Sequence, residues 1–198
     1  PNTKIVFLES PSNPLLEIID VRAVADIAHS VGALLMVDNV FATPILQRPL
    51  ELGADIVVYS ATKHIDGQGR CLGGVILSSK EWIDANLHNF MRQTGPSISP
   101  FNAWVMLKSL ETLDLRVREH ARNAEAVAKF LEGHNKIARV LYPTLPSHPQ
   151  HELAMSQMDM GGGIVAFDVK GGRETTFRFA NALKVIKISN NLGDSKSL

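Results

Sequence analysis

The chain has 198 residues, of which 45% are hydrophobic and 20% are charged. This composition is typical of a globular protein with a buried core, and it excludes an intrinsically disordered chain. Because 20 Lys+Arg balance 20 Asp+Glu, charge gives no reason to expect nucleic acid or an anionic membrane as a partner.

The single cysteine, Cys71, cannot form an internal disulfide, which fits a reducing compartment. The chain has no run of ~20 apolar residues that could span a bilayer, and no charged-then-apolar leader opens it. We therefore expect a cytoplasmic protein. Because the first residue is Pro1 rather than Met, we also expect the chain to be part of a longer protein.

The first residues of the chain alternate apolar runs with a capped helix. Residues 4–9 predict a strand, and two prolines end it in a loop. Asp20 can cap a helix whose apolar residues recur at spacings of three and four until Gly32. Residues 33–37 predict a second strand, which ends in Asp38.

Two more apolar runs follow, at residues 56–59 and 73–77. Continuous apolar strands with a helix between them predict a mainly parallel sheet covered on both faces, and therefore an α/β fold. The first of these two runs leads directly into Ser60-Ala-Thr-Lys63-His64.

From Ser78 onward the pattern is helical. Ser78 and Glu81 form a capping box at the start of one helix, and Ser99 followed by proline starts another. Beyond Gly133 the alternation is typical of a smaller α+β domain. We therefore predict that residues 1–133 are part of a large domain and residues 134–198 part of a small C-terminal domain. The remaining predicted elements are helices at 117–132 and 174–183 and strands at 137–141, 164–169 and 185–188.

Polar residues follow three of the predicted strands, at the positions where parallel α/β sheets bind ligands. Asp38 and Lys63 both come after apolar runs, where an unpaired charge is poorly hydrated. One interpretation is an ordinary Asp38–Lys63 ion pair. The other is a site for an aldehyde cofactor with a ring nitrogen and a phosphate, which needs an amine, a carboxylate and hydroxyl donors. Lys63, Asp38 and the pair Ser60 and Thr62 supply these groups.

Several motifs, in this order, resemble the Cys/Met-metabolism family of pyridoxal-phosphate enzymes. The family includes cystathionine synthases and lyases, methionine γ-lyase and the homoserine-ester sulfhydrylases. The resemblance implies the aspartate aminotransferase-like fold (fold type I), in which a mainly parallel sheet forms the large domain, with pyridoxal 5'-phosphate as the cofactor. The motifs are Glu9-Ser-Pro-Ser-Asn13-Pro, Val37-Asp-Asn39, Ser60-Ala-Thr-Lys63-His64, Gly73-Gly74 and Ser99-Pro-Phe-Asn102.

The resemblance also implies a role for individual motif residues. Lys63 is the Schiff-base lysine and later carries protons, and Asp38, 25 residues upstream, is the partner of the pyridine nitrogen. Ser60 and Thr62 contact the phosphate, and Asn13 lies near the 3-hydroxyl of the cofactor.

Two local runs indicate which reaction of the family to expect. Residues 92–102 and 191–198 resemble the homoserine-ester sulfhydrylases, whereas the lyases usually carry Ser-Leu-Gly-Gly where Asn191 to Asp194 stand. We expect γ-replacement in methionine biosynthesis, in which O-succinylhomoserine and sulfide give homocysteine and succinate and Asn191 contacts the amino-acid substrate. The alternatives are cystathionine γ-synthase, cystathionine γ-lyase or methionine γ-lyase chemistry, and a non-catalytic truncated paralogue that only binds partners. The resemblance further implies a homotetramer assembled as a dimer of dimers.

Two competing patterns point elsewhere. Ser60-x-x-Lys63 matches the Ser-Lys motif of penicillin-recognising enzymes, but the Ser-Asp-Asn and Lys-Thr-Gly tripeptides that accompany it do not occur. His148 and His151 are three residues apart in a proline-rich stretch without further His or Cys nearby. We expect a surface loop there and no metal site.

Overall fold

A four-stranded sheet organises the first part of the computed structural model, which describes residues 2–198. Its strand order is β1-β2-β3-β4; the first three strands run parallel, and β4 is antiparallel to β3. This arrangement agrees with the mainly parallel α/β sheet predicted from the apolar runs. The strands are β1 (Ile5–Glu9), β2 (Leu34–Asp38), β3 (Ile56–Ser60) and β4 (Gly74–Leu77).

The connections between the parallel strands are helical. Helix α1 (Val21–Ser30) connects β1 to β2, and the predicted cap is present, since Asp20 Oδ1 accepts from the Ala23 N–H at 3.0 Å. The helix buries one face against the sheet, and Leu35 and Val37 of β2 are fully buried beneath it. Helix α2 (Thr43–Leu46) and a 3₁₀ turn (Pro49–Leu52) connect β2 to β3.

Helices fill the segment that follows β4. The predicted capping serine is off by one residue: Ser79 Oγ accepts from the Trp82 N–H, whereas the Ser78 hydroxyl donates to the Asp55 carbonyl. Ser99 caps its helix as predicted, accepting from the Asn102 N–H at 3.2 Å. The helices are α3 (Lys80–Trp82), a π-helical stretch (Ile83–His88), α4 (Asn89–Thr94), α5 (Pro100–Leu110) and α6 (Leu113–Glu132).

The last part of the chain forms a two-stranded antiparallel sheet with two helices. The strand predicted at 185–188 does not form; Val185 and Ile188 are 78% and 75% exposed, and a strand needs a pairing neighbour and a covered face. The division at Gly133 stays a prediction. The elements are β5 (Ile137–Leu141), α7 (His151–Gln157), β6 (Ala166–Val169) and α8 (Gly172–Ala182).

The proline-rich stretch before α7 is partly buried: Pro146, Ser147 and Pro149 are exposed, whereas Leu145 and His148 are buried. His148 is buried, and its Nδ1 accepts from the Gln150 N–H at 3.1 Å. The prediction of a surface loop is therefore wrong at His148. In the part of the chain that the structure describes, no cluster of three or more His, Cys, Asp or Glu could hold a metal ion. No helix within residues 2–198 is long and apolar enough to cross a bilayer.

Candidate functional site

The carboxyl ends of β1, β2 and β3 meet at one edge of the sheet. Glu9 pairs with Asp38 in the parallel register of β1 and β2, and Asp38 pairs with Val58 in that of β2 and β3. Such an edge is where open α/β sheets bind ligands. The residues predicted to bind the cofactor lie at these strand ends or in the loops that follow: Asn13, Asp38, Ser60, Thr62 and Lys63.

Asp38 is a half-buried carboxyl at the end of β2. Its Oδ1 accepts a hydrogen bond from the backbone N–H of Val40 at 3.0 Å. Burial raises the pKa of the Asp38 carboxyl, and the hydrogen bond from Val40 opposes that effect. A nearby cation, such as a protonated ring nitrogen, would favour the ionised form of a carboxyl in this environment.

Lys63 meets an amide rather than Asp38. Its Nζ donates to Asn191 Oδ1 at 2.7 Å, a contact between positions 128 apart in the chain. Both side chains are half-buried. The structure therefore brings the predicted cofactor lysine and the residue predicted to contact substrate to the same place. The alternative of an Asp38–Lys63 ion pair does not form in the structure: Lys63 Nζ donates to Asn191, and Asp38 accepts from the Val40 N–H.

The two hydroxyls of the Ser60–Lys63 motif differ in their surroundings. Ser60 is half-buried at the end of β3. Thr62 Oγ1 accepts from the Gly73 N–H at 3.1 Å and donates to the Gly73 carbonyl at 3.4 Å. The donated bond is long, so Thr62 can keep accepting from Gly73 while giving its own hydrogen to a phosphate oxygen.

Asn13 lies in the exposed loop after β1. Its backbone N–H donates to Glu9 Oε2 at 3.1 Å. The Glu9 carboxylate therefore closes this loop from the end of β1. The contact of Asn13 with a cofactor hydroxyl stays a prediction.

His64 was assigned no role from the sequence, yet it is buried directly beside Lys63. Burial lowers the pKa of His64 to about 4, with smaller contributions from the positive charges of His120, Arg116 and Lys63. Its Nδ1 has no hydrogen-bond partner among the described residues. A neutral imidazole therefore forms part of the packing beneath the turn at residues 61–66 that carries Lys63, called the lysine loop below.

The segment that carries Asn191 packs against this histidine. A Cβ added to Gly193 would lie 2.6 Å from the backbone nitrogen of His64, and Gly193 has a φ of +75°. The Ser195 N–H donates to the Gly67 carbonyl at 2.8 Å. Glycine at 193 thus permits the close approach that brings Asn191 to Lys63.

Charged side chains fix the other side of the lysine loop. Asp66 is fully buried and accepts from Arg70 Nε at 2.9 Å and from the Arg70 N–H at 2.6 Å. Arg116 Nη1 of helix α6 donates to the His64 carbonyl at 2.8 Å. This arrangement is not predicted from the sequence. The only local signal is the four-residue spacing of Asp66 and Arg70, which is common on protein surfaces.

The donor set fits pyridoxal phosphate. An amine (Lys63), a carboxylate (Asp38) and two hydroxyls (Ser60 and Thr62) lie at or just after neighbouring parallel strand ends. These are the groups needed to attach an aldehyde, to hold a ring nitrogen protonated and to bind a phosphate.

Comparison with known proteins identifies relatives that match the whole chain. The sequence profile of the family described as "Cys/Met metabolism PLP-dependent enzyme" matches residues 1–198. An O-succinylhomoserine sulfhydrylase from Pseudomonas aeruginosa is 55% identical over 197 residues, which cover 100% of this chain and 49% of the relative. An L-methionine gamma-lyase from Porphyromonas gingivalis is 44% identical over 200 residues, which cover 100% of this chain and 50% of the relative.

Solved structures agree with the sequence comparison. The crystal structure of cystathionine gamma synthase from Xanthomonas oryzae pv. oryzae, in complex with aminoacrylate and cysteine, has a TM-score of 0.94 at 39% identity. The match covers 98% of this chain and 50% of that one. The chain therefore spans about half the length of the relatives it matches.

Proposed function

Because this chain belongs to the Cys/Met metabolism family of PLP-dependent enzymes, we propose that it forms the cofactor site of an O-succinylhomoserine sulfhydrylase. The reaction is γ-replacement: sulfide forms a C–S bond at the γ-carbon of O-succinylhomoserine, the C–O bond to succinate breaks, and homocysteine is released. The observation that carries the proposal is the 2.7 Å contact between Lys63 and Asn191. It brings the residue that opens the sulfhydrylase-like run 191–198 to the amine expected to do the chemistry.

Pyridoxal phosphate, when bound, withdraws electrons from the α-carbon of an amino-acid substrate. Asp38 is the residue to hold its ring nitrogen protonated, since a half-buried carboxyl is best stabilised by an adjacent cation. Ser60 and Thr62 are the residues to donate hydrogen bonds to the phosphate, and Asn13 the residue near the 3-hydroxyl. Lys63 attaches the cofactor through its Nζ.

Lys63 Nζ is also the base and acid of the reaction. It takes the proton from the substrate α-carbon, serves again at the β-carbon, and returns protons after sulfide has added. A lysine side chain is long and flexible enough to reach both carbons once its Nζ is free. Asn191 Oδ1 accepts a hydrogen bond from Lys63 Nζ and so orients the amine toward residue 191.

A second candidate is γ-elimination, favoured by the methionine gamma-lyase relative at 44% identity. Both reactions use the same early proton transfers, so Lys63 and Asp38 would serve either. They differ in the fate of the γ-carbon, which receives sulfide in replacement and leaves as part of a 2-oxo acid in elimination. A non-catalytic paralogue is disfavoured, because the amine, the carboxylate and both hydroxyls are present at the sheet edge.

We further infer that the intact enzyme is a cytoplasmic homotetramer, a dimer of dimers. The chain has two tyrosines, and both are buried: Tyr59 is 7% and Tyr142 is 1% exposed. Neither can stack on a cofactor at the sheet edge. We expect residues outside this chain or in a neighbouring subunit to cover the ring.

The experiment is an assay of the intact protein with four substrates in parallel: O-succinylhomoserine, O-acetylhomoserine, L-methionine and cystathionine, each with and without sulfide. We expect sulfide-dependent homocysteine from O-succinylhomoserine to dominate. Sulfide-independent 2-oxobutanoate from methionine or cystathionine would assign elimination instead. Absence of both products, in a protein without visible absorbance from bound pyridoxal phosphate, would contradict enzymatic function.

A further inference from the structure

A buried network of amide side chains lies behind the sheet edge that carries the candidate site. Asn39 and Gln47 are 0% and 1% exposed, and the Tyr59 hydroxyl reaches them from β3. Proteins bury polar side chains of this size only where their hydrogen bonds are satisfied. Breaking one of its hydrogen bonds would therefore leave a buried polar group unpaired and destabilise the fold.

Asn39 is the centre of the network. Its Nδ2 donates to Tyr59 Oη at 3.0 Å, and its Oδ1 accepts from Gln47 Nε2 at 2.9 Å. The same Nδ2 also contacts the carbonyls of Thr43 and Gln47 at 3.1 and 2.9 Å. The backbone N–H of Asn39 donates to the Val58 carbonyl at 3.2 Å, which adds a main-chain link to β3.

Gln47 extends the network to the first strand and to a distant helix. Its Nε2 donates to the Ser10 carbonyl at 2.8 Å, directly after β1. Its Oε1 accepts from Gln157 Nε2 at 3.1 Å, at the end of α7. One set of side chains thus joins the carboxyl ends of all three parallel strands.

The position of the network in the sequence is informative. Asn39 immediately follows Asp38, and Tyr59 immediately precedes Ser60. Consecutive side chains of a strand point to opposite faces, and the burial follows this rule: Asn39 and Tyr59 are buried, whereas Asp38 and Ser60 are half-buried. Asn39 and Tyr59 thus link, on the buried face of the sheet, the segment that carries the Asp38 carboxylate to the segment that carries the Ser60 hydroxyl.

We propose that Asn39 is a positioning residue, whose hydrogen bond to Tyr59 sets the separation between the Asp38 strand end and the Ser60–Lys63 loop. The inference rests on the proposed function, since it assumes that both segments bind one pyridoxal phosphate. The ring nitrogen and the phosphate belong to one small molecule, so the protein groups that would bind them must keep a limited separation. A hydrogen bond between neighbouring strand ends supplies that spacing without touching the cofactor.

The test compares Tyr59→Phe with Tyr142→Phe in the intact protein. Both variants remove one hydroxyl from a buried tyrosine. The Tyr142 hydroxyl lies 3.0 and 2.9 Å from the carbonyls of Ala121 and Gly162, to which its single hydrogen can be donated, and it is not hydrogen-bonded to Asn39 or Gln47. The readouts are the melting temperature, the Kd for pyridoxal phosphate, and the pH midpoint of the visible absorbance of the bound cofactor.

We expect both variants to lower the melting temperature and only Tyr59→Phe to move the other two readouts. Its Kd should rise about fivefold, the equivalent of one hydrogen bond, and its absorbance midpoint should shift because Asp38 moves relative to the ring nitrogen. Asn39→Leu should change the melting temperature, the Kd and the absorbance midpoint in the same directions and by larger amounts. If Asn39→Leu does not fold, Tyr59→Phe decides alone.

Two contrary outcomes are distinguishable. If the unmodified protein binds pyridoxal phosphate and Tyr59→Phe changes only the melting temperature, as Tyr142→Phe does, the positioning role is wrong and the proposed function stands. If the unmodified protein binds no pyridoxal phosphate, the proposed function fails and this inference fails with it.

Discussion

Lys63 Nζ and Asn191 Oδ1 are joined by a 2.7 Å hydrogen bond, although 128 positions separate the two residues in the chain. The bond connects the loop after β3 to a segment beyond the last helix. The candidate site therefore includes a residue that follows every strand and helix described within residues 2–198.

We expect Asn191→Ala to lower kcat about tenfold and to leave the affinity for pyridoxal phosphate nearly unchanged. A hydrogen bond to a charged group contributes roughly 1.5–3 kcal/mol, and here it orients the amine rather than the cofactor. Steady-state kinetics with O-succinylhomoserine and sulfide measure the effect. Asn190→Ala, at the exposed neighbouring asparagine, is the control. Equal losses in both variants would exclude the orienting role.

Lys63→Ala should abolish turnover and covalent retention of the cofactor while leaving the fold intact, because no other amine takes the place of Nζ. Borohydride reduction followed by peptide mass spectrometry measures attachment at residue 63, and circular dichroism measures the fold. Lys80→Ala is the control, since the Lys80 side chain is 81% exposed on a helix. Robust activity of Lys63→Ala without an added amine would refute the assignment.

Asp38→Asn should reduce kcat on the order of 10²-fold or more, the usual size for loss of one preorganised electrostatic contact. The amide keeps the shape of the carboxyl but cannot hold the ring nitrogen protonated. Single-turnover kinetics of the cofactor-loaded variant separate this loss from weaker binding. Asp168→Asn removes an exposed carboxylate that pairs with Arg139, and it should leave kcat unchanged. An unchanged kcat in Asp38→Asn would show that Asp38 is not part of the site.

The free energy of unfolding should fall as the pH is lowered from about 6.5 toward 4, in part because of His64. Its folded pKa is about 4, below the ordinary value of 6.5, so the unfolded chain takes up the proton first. The stabilisation is fully present above pH 6.5 and is lost as the pH falls to 4, by up to about 3 kcal/mol.

Denaturant titrations at several pH values measure this dependence. His64→Leu should flatten the pH profile between 6.5 and 4, because the imidazole that resists protonation is gone. His88→Leu, at an exposed histidine, should leave the profile unchanged. Parallel profiles for the unmodified protein and His64→Leu would assign the acid sensitivity to other groups.

Gly193→Ala should destabilise the protein by roughly 1–3 kcal/mol and lower kcat as well. The added Cβ would lie 2.6 Å from the His64 backbone nitrogen. Because the segment around residue 193 would have to shift to relieve this clash, Asn191 would move away from Lys63. Gly172→Ala is a matched control, with the same φ of +75° and no atom within 4 Å of the added Cβ. Thermal unfolding and kinetics of both variants separate backbone strain from the clash. Identical behaviour of the two would exclude the packing argument.

The predicted family and α/β fold are confirmed, and the sequence was most informative at the strand ends. Asp38 and Ser60 could be placed because each terminates an apolar run whose length and composition are local properties. The same locality explains the correct caps at Asp20 and Ser99. The predicted cap at Ser78 is wrong because the Ser78 hydroxyl donates to the Asp55 carbonyl, a partner 23 positions away.

Features that depend on distant pairing could not be predicted from local patterns. Asn39 and Gln47 resemble solvated loop residues in the sequence, and only the fold shows that they face each other in the interior. Arg116 is likewise an ordinary helix-surface cation until α6 packs near the lysine loop. The apolar residues at 185–188 have strand-like composition but pair with no strand within residues 2–198.

The hydrogen bond between Gln157 and Gln47 has a consequence for how the protein is made on the ribosome. These residues are 110 positions apart, and translation adds about 5–20 residues per second, so roughly 5–20 s pass between their synthesis. During that interval the nascent chain can pair β1, β2 and β3, but the Gln47 Oε1 lacks its final donor. The edge of the sheet therefore reaches its finished geometry only after α7 has been synthesised and has docked.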